Sequence, residues 1–209
     1  ERENWWFTVR RAILEERITH LLSTPTSISS LNIGAATGST SDMLTRFGNV
    51  MSVEYDENCY QFTKSFLSTP IIQGSITELP FENNQYDLVC AFDVIEHVED
   101  DAKAIDEMIR VCKPGGYIAI TVPAYMFLWG EHDVINQHCR RYNKTELLGL
   151  LKKHKGKVVY QTYFNAMLFV PIAVFRLLAT GISKLKRAQK QTIESDHAIF
   201  GTKGFFNNL

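Results

Sequence analysis

The run Tyr86-Asp87-Leu88-Val89-Cys90-Ala91-Phe92 constrains this chain most. Beyond Asp87 it is apolar without alternation, the pattern of a strand covered on both faces. Strands of that kind belong to parallel sheets, whose crossovers are helices. The remaining sequence supplies both. Ser30–Ile33, Val50–Glu54, Ile71–Gln73 and Tyr117–Val122 read as further strands, and Lys157–Tyr163 as a sixth. Helices are expected over about Phe7–Leu22, Ser41–Phe47, Glu57–Leu67, Asp101–Val111 and Lys144–Lys153. In the first of these, Ile13, Leu14, Ile18, Leu21 and Leu22 recur at helical spacing, and Ser23 to Ser27 break it. Lys113-Pro114-Gly115-Gly116 stops the fourth. The fold class is therefore α/β, a doubly wound, mostly parallel sheet. No internal repeat or low-complexity segment interrupts it.

Composition excludes other classes. With 45% hydrophobic and 22% charged residues over 209 positions, the chain is neither disordered nor coiled-coil. A net charge of −1 names no partner, and nothing points to nucleic acid. Charge is nevertheless segregated. Residues 54–107 hold thirteen acids against two bases, and residues 139–190 hold twelve bases against one acid. Two surfaces of different character follow, or two solvated faces. Cys59, Cys90, Cys112 and Cys139 form no Cys-x-x-Cys pair, so a reducing cytoplasm is the expected setting. The chain opens Glu1-Arg2-Glu3 without Met or an apolar signal segment and reads as trimmed.

In an open parallel sheet, ligands bind beyond the carboxyl ends of the strands. Gly34-Ala35-Ala36-Thr37-Gly38 leaves the first strand at that place, where glycine lets the backbone turn and approach a ligand. Glu54 ends the second strand and stands where an acid takes the hydroxyls of a ribose. A dinucleotide fingerprint is poorly met: its three glycine positions are Gly34, Ala36 and Ser39. A nicotinamide-dependent oxidoreductase is the alternative reading, disfavoured on that ground.

Five stretches in order resemble the class I S-adenosylmethionine-dependent methyltransferases, whose sheet is Rossmann-like. They are Leu31-Asn32-Ile33-Gly34-Ala35-Ala36-Thr37-Gly38, Glu54, Gly74-Ser75-Ile76 with Leu79-Pro80-Phe81, Tyr86 through Val98, and Arg110 to Gly116. The resemblance implies S-adenosylmethionine as cofactor, contacted by Asn32, Gly34, Ala36, Gly38, Glu54, Tyr55, Ser75, Ile76, Phe92 and Asp93. Asn32, Ala36 and Ser75 depart from it, standing where the family has an acid, a glycine and a common acid. A relative that binds the cofactor without catalysis is the reading those departures leave open.

Three further stretches resemble a narrower bacterial branch, some of it associated with cell-surface glycans or lipids: Glu3 to Arg11, Val122 to Asp133, and His138-Cys139-Arg140-Arg141-Tyr142 with Glu146-Leu147. Trp5 and Trp6 beside arginines suit a lid over residues 1–24, or plain packing of the first helix. His97, His132 and His138 are the catalytic candidates, because a hydroxyl acceptor must lose a proton. Arg140, Arg141 and Tyr142 are candidates for an anionic acceptor. His20, His154 and His197 belong to no constellation.

The spacing Asp93-x-x-Glu96-His97 with a later His138 is similar to that of certain metal-dependent O-methyltransferases. The reading preferred from sequence has no metal: Glu96 caps and His97 shapes the cofactor site. Acceptors are expected to be small or lipid-linked, methylated at oxygen.

Phe164–Ile182 is apolar but broken by Pro171 and Arg176, and Lys184, Lys186, Arg187 and Lys190 follow it. It reads as a helix over the sheet or a homodimer face, with peripheral contact to the inner membrane surface as the alternative. Residues 1–163 are expected to form the cofactor-binding domain and 164–209 a helical segment. The family's final antiparallel strand finds no counterpart and is expected beyond Leu209.

Overall fold

In a computed structural model of the chain, residues 5–22, 27–152, 154, 156–164, 169–171, 173–174 and 178 are described. The chain divides into two compact units, 1–157 and 158–209, a few residues before the boundary expected from sequence. The first unit holds every candidate site residue.

Its order is α1 (Trp5–Leu22), β1 (Ile28–Ile33), α2 (Ser39–Leu44), β2 (Gly48–Glu54), α3 (Glu57–Lys64), β3 (Ile71–Gln73), β4 (Tyr86–Phe92), α4 (Asp101–Val111), β5 (Cys112–Thr121), α5 (Glu131–Ile135) and α6 (Lys144–Leu151). The five strands run in the order β3-β2-β1-β4-β5, and every pairing is parallel. Strand order therefore reverses between β1 and β4, which sets the ligand-binding edge beyond Ile33 and Phe92.

The period-two geometry of the strands sorts their side chains into two cores. Leu31, Ile33, Val53, Val89 and Ala91 face one side, where Ile105, Met108 and Val111 of α4 cover them. Ile28, Val50, Leu88 and Cys90 face the other, against Ile18 of α1 and Met43 and Leu44 of α2. Leu31, Leu88 and Val89 have no solvent exposure. The continuous apolar run of β4 thus exists because helices cover both of its faces.

Two elements depart from the sequence expectation. Lys113–Gly116 ends α4 but also belongs to β5. That strand advances from Cys112 to Tyr117 while β4 advances only from Tyr86 to Leu88. The bulge is turned by Gly115, whose φ of 82° suits glycine. The sixth strand, expected over Lys157–Tyr163, is absent. Those residues carry no strand, and Val158, Val159, Tyr160 and Tyr163 are all exposed. β-branched and aromatic residues favour a strand only where a sheet gives them a partner and a covered face.

Among the described residues, no helix is long and apolar enough to cross a membrane. The basic run after Lys184, most of the apolar stretch from Phe164 to Ile182 and the ends of the expected lid lie outside the described residues.

Candidate active site

The loop from Gly34 to Gly38 is coiled by three left-handed residues at alternate positions. Their φ values are 75° at Gly34, 45° at Ala36 and 73° at Gly38. The amides of Gly34 and Ala35 both donate to the Val53 carbonyl, at 2.9 and 3.1 Å, which folds the loop back over β2. A Cβ on Gly34 would come within 2.5 Å of Val94 Cγ2. The loop therefore passes close beside the chain leaving β4, and glycine is required there for space as well as for φ.

Ala36 has no such freedom. An L-residue in the left-handed region costs roughly 1–2 kcal/mol, and the chain holds it there by contacts at both ends. Its amide donates to Glu54 Oε2 at 2.8 Å, and its carbonyl accepts from the Thr63 hydroxyl. Ala36→Gly is accordingly expected to stabilise the protein by about 1 kcal/mol. Urea denaturation measures it, and a lower midpoint would show that Ala36 is not strained.

Glu54 sits at the end of β2, 8% exposed. Besides Ala36, its carboxylate accepts from the amides of Tyr55 and Asp56 through Oε1, at 3.0 and 3.1 Å. A carboxylate offers about four lone-pair sites. Oε1 has both of its own engaged by amides, and Oε2 has one. Glu54 is thus the organiser of the loop as well as its neighbour. Tyr55 beside it is exposed.

Asn32 lies beneath, buried, and donates to Ser41 Oγ at 2.9 Å; Ser41 in turn shares a 2.8 Å hydrogen bond with Ser52. This ladder ties β1, α2 and β2 together under the loop. Its amide fills the place of the family's acid without leaving an unpaired buried charge. Ser75 is engaged with Thr77, hydroxyl to hydroxyl at 2.8 Å, and Ile76 is buried.

Beyond β4, Phe92 is half-buried and Asp93 adopts a φ of 56°. The Asp93 amide donates to the Thr121 carbonyl at 2.9 Å, and the Thr121 hydroxyl donates to Asp93 Oδ1 at 2.8 Å. Arg10 of α1 reaches the same point, 2.7 Å from Asp93 Oδ2 and 2.9 Å from Thr121 Oγ1. The amino-terminal helix is therefore fastened to the carboxyl ends of β4 and β5 by a guanidinium. The carboxylate it grips belongs to the protein itself. Trp5 is exposed.

The three catalytic candidates come together. The rings of His97 and His138 pack edge to face with centroids 4.6 Å apart, and His132 lies 6.3 Å from His138. Asp133, fully buried, holds His138. It lies 2.9 Å from His138 Nδ1, and accepts from Arg141 Nε at 2.7 Å and from the Gly130 amide at 2.8 Å. Burial opposes ionisation of Asp133, but Arg141, Gly130 and His138 together hold its carboxyl below the ordinary value. Glu96 is also fully buried, yet neither of its carboxylate oxygens has a hydrogen-bond partner. Burial, reinforced by the charge of Asp93, pushes its carboxyl up to about 8. Burial and neighbouring His138 lower the His97 imidazole.

Arg140, Arg141 and Tyr142 are drawn inward. Arg140 pairs with Asp101 at 2.7 Å and donates to the Glu99 carbonyl. Arg141 also donates to the Ala124 carbonyl. The Tyr142 hydroxyl, on a buried ring, donates to Asp101 at 2.8 Å. Arg10, Thr63, Thr121 and Asp133 carried no assigned place in the site. Asp133 had a readable signal, since it falls between two candidate histidines; Thr63 had none.

Comparison with known proteins agrees with this geometry. A family model described as a methyltransferase domain matches residues 31–120. A probable S-adenosylmethionine-dependent methyltransferase from Mycolicibacterium smegmatis is 30% identical over 154 residues, 72% of this chain and 58% of the relative. One from Mycobacterium tuberculosis H37Rv is 31% identical over 153 residues, 71% of this chain and 54% of the relative. This chain carries a class I S-adenosylmethionine-dependent methyltransferase domain. It spans little more than half the length of these curated relatives. The fold is also that of a crystallised putative methyltransferase from Bacillus halodurans C-125. The TM-score is 0.59 and the identity 17%, over 66% of this chain and 67% of that one.

S-adenosylmethionine is the cofactor of this methyltransferase domain, and the residues fit it. The left-handed loop and the carboxylate of Glu54 are joined beside the point where strand order reverses.

Proposed function

We propose that this methyltransferase transfers its methyl group to an oxygen of a small or lipid-linked acceptor. The observation that carries this reading is the grouping of His97 and His138 beside the buried carboxyl group of Glu96, with the His132 ring 6.3 Å from that of His138. That group follows directly from Val94, the residue against which the Gly34 loop packs. The cofactor supplies a methyl group on a cationic sulfur. Bound against the Gly34–Gly38 loop and Glu54, it would give that methyl group to the acceptor oxygen and leave as the neutral thioether, and the acceptor's proton would pass to the imidazole of His97 or His138. A hydroxyl is a weak nucleophile until its proton is drawn away, so it needs such a cluster more than an amine does.

In this reading the Gly34–Gly38 loop holds the methionine portion and Glu54 a ribose hydroxyl. Ile76 flanks the adenine, and Phe92 and Asp93 lie at the methyl end. Arg140, Arg141 and Tyr142 position the histidine loop, since their polar groups already serve Asp101 and Asp133.

The test uses S-adenosylmethionine carrying a carbon-13 methyl group, with hydroxylated lipid and glycan fractions as acceptors. NMR is expected to find the label on oxygen. Label on nitrogen or carbon, or no transfer while the cofactor binds, would overturn the reading.

A further inference from the structure

Glu96 poses a problem that the methyl-transfer reading leaves unsolved. A carboxylate with no exposure and no hydrogen-bond partner is several kcal/mol out of balance, and its neighbourhood must supply a counter-charge or a proton. Arg10 and Arg141 lend it positive charge without a hydrogen bond, and two imidazoles stand within reach of it. His97 is its neighbour in the turn Ile95–His97. His138 is brought in by the Cys139 amide, which donates to the Glu96 carbonyl at 2.7 Å. One ligand atom from each of Glu96, His97 and His138 lies within 4.8 Å of the others.

We infer that Glu96, His97 and His138 bind one divalent first-row cation. Two imidazoles and one carboxylate form a donor set for zinc, manganese, iron or cobalt, and three protein ligands leave positions open.

The surroundings of the two rings agree. A ligating histidine commonly has its second nitrogen tied to a carboxylate or a backbone carbonyl, which fixes the tautomer. Asp133 stands against His138 Nδ1 at 2.9 Å, leaving Nε2 for the ion. His97 packs edge to face against the His138 ring, with centroids 4.6 Å apart. Bonds of about 2.0–2.2 Å need ligand atoms closer than those in the present cluster. The exposed His97 ring has room to close that gap, while Glu96 and His138 stay where packing holds them. On the methyl-transfer reading, on which this role but not the binding itself rests, the cation would polarise the acceptor oxygen.

The test needs neither cofactor nor acceptor. Chelator-treated protein is titrated with Co²⁺, followed by calorimetry and by the visible bands of the bound ion, and Zn²⁺ is then added. One equivalent of Co²⁺ is expected, displaced by Zn²⁺. Glu96→Gln and His138→Ala should each weaken Co²⁺ binding at least about tenfold, and Asp133→Asn by about tenfold. Affinity for S-adenosylmethionine, measured on the same variants, should stay within about threefold of wild type and shows that they are folded. If His138→Ala does not fold, His97→Ala gives the same reading from an exposed position. Wild type that takes up no Co²⁺, or variants that bind it as tightly as wild type, would overturn the inference. A protein that binds Co²⁺ but not S-adenosylmethionine would instead defeat the methyl-transfer reading.

Discussion

Glu54→Ala is expected to lower the affinity for S-adenosylmethionine at least about a hundredfold, equivalent to about 2.7 kcal/mol. One side chain accepts from three backbone amides, those of Ala36, Tyr55 and Asp56. Hydrogen bonds to a charged group are worth about 1.5–3 kcal/mol each. The Ala36 bond holds a residue whose backbone would otherwise relax out of the left-handed region. Alanine therefore removes the carboxylate assigned to the ligand's ribose and unfastens the loop together. Glu54→Gln keeps a carbonyl oxygen for part of that network and should lose less. Calorimetric titration separates the cases, and an affinity unchanged by Glu54→Ala would sink the assigned site.

The largest expected loss of stability is elsewhere, at Asp133→Ala. Arg141 and His138, with side chains 13% and 10% exposed, would lose their shared partner. Breaking a buried ion pair from one side costs about 3–5 kcal/mol, because the remaining charge stays buried. Against a total of roughly 5–15 kcal/mol, that is a large fraction. The urea midpoint should fall sharply, and Asp133→Asn, which keeps the shape and one acceptor, should fall less. A midpoint unmoved by Asp133→Ala would mean that Arg141 finds another partner.

Legibility in the sequence followed how local each cause was. β4 and α4 occur with the bounds the sequence suggests. The apolar run of β4 is its own signature, and α4 begins behind Asp100, whose side chain accepts from the Lys103 amide at 2.9 Å. The Gly34 loop and Glu54 were likewise readable, as a turn and an acid at strand ends. The start of β5 was not, because Lys113–Gly116 carries every sign of a helix stop and stays in the sheet only through a bulge. Lys157–Tyr163 has strand composition, but the determining factor, an available neighbour, lies outside the segment. In the site, the Arg140-Arg141-Tyr142 block stood out, yet its use depends on Asp101 and Asp133, acids that only the folded chain places beside it. Glu96 was visible as a residue. That it is buried without a partner is a property of packing.

The seat of Ile18 has a practical consequence for anyone cutting this gene. The stretch that matches the methyltransferase family begins at residue 31, yet Ile18 is 3% exposed and shares a core with Ile28, Leu88 and Cys90. A fragment begun at residue 31 would bare an oily side of its own sheet and strip Arg10 from Asp93. Expression boundaries drawn from homology alone would therefore yield an adhesive remnant, and the amino-terminal helix has to travel with the domain.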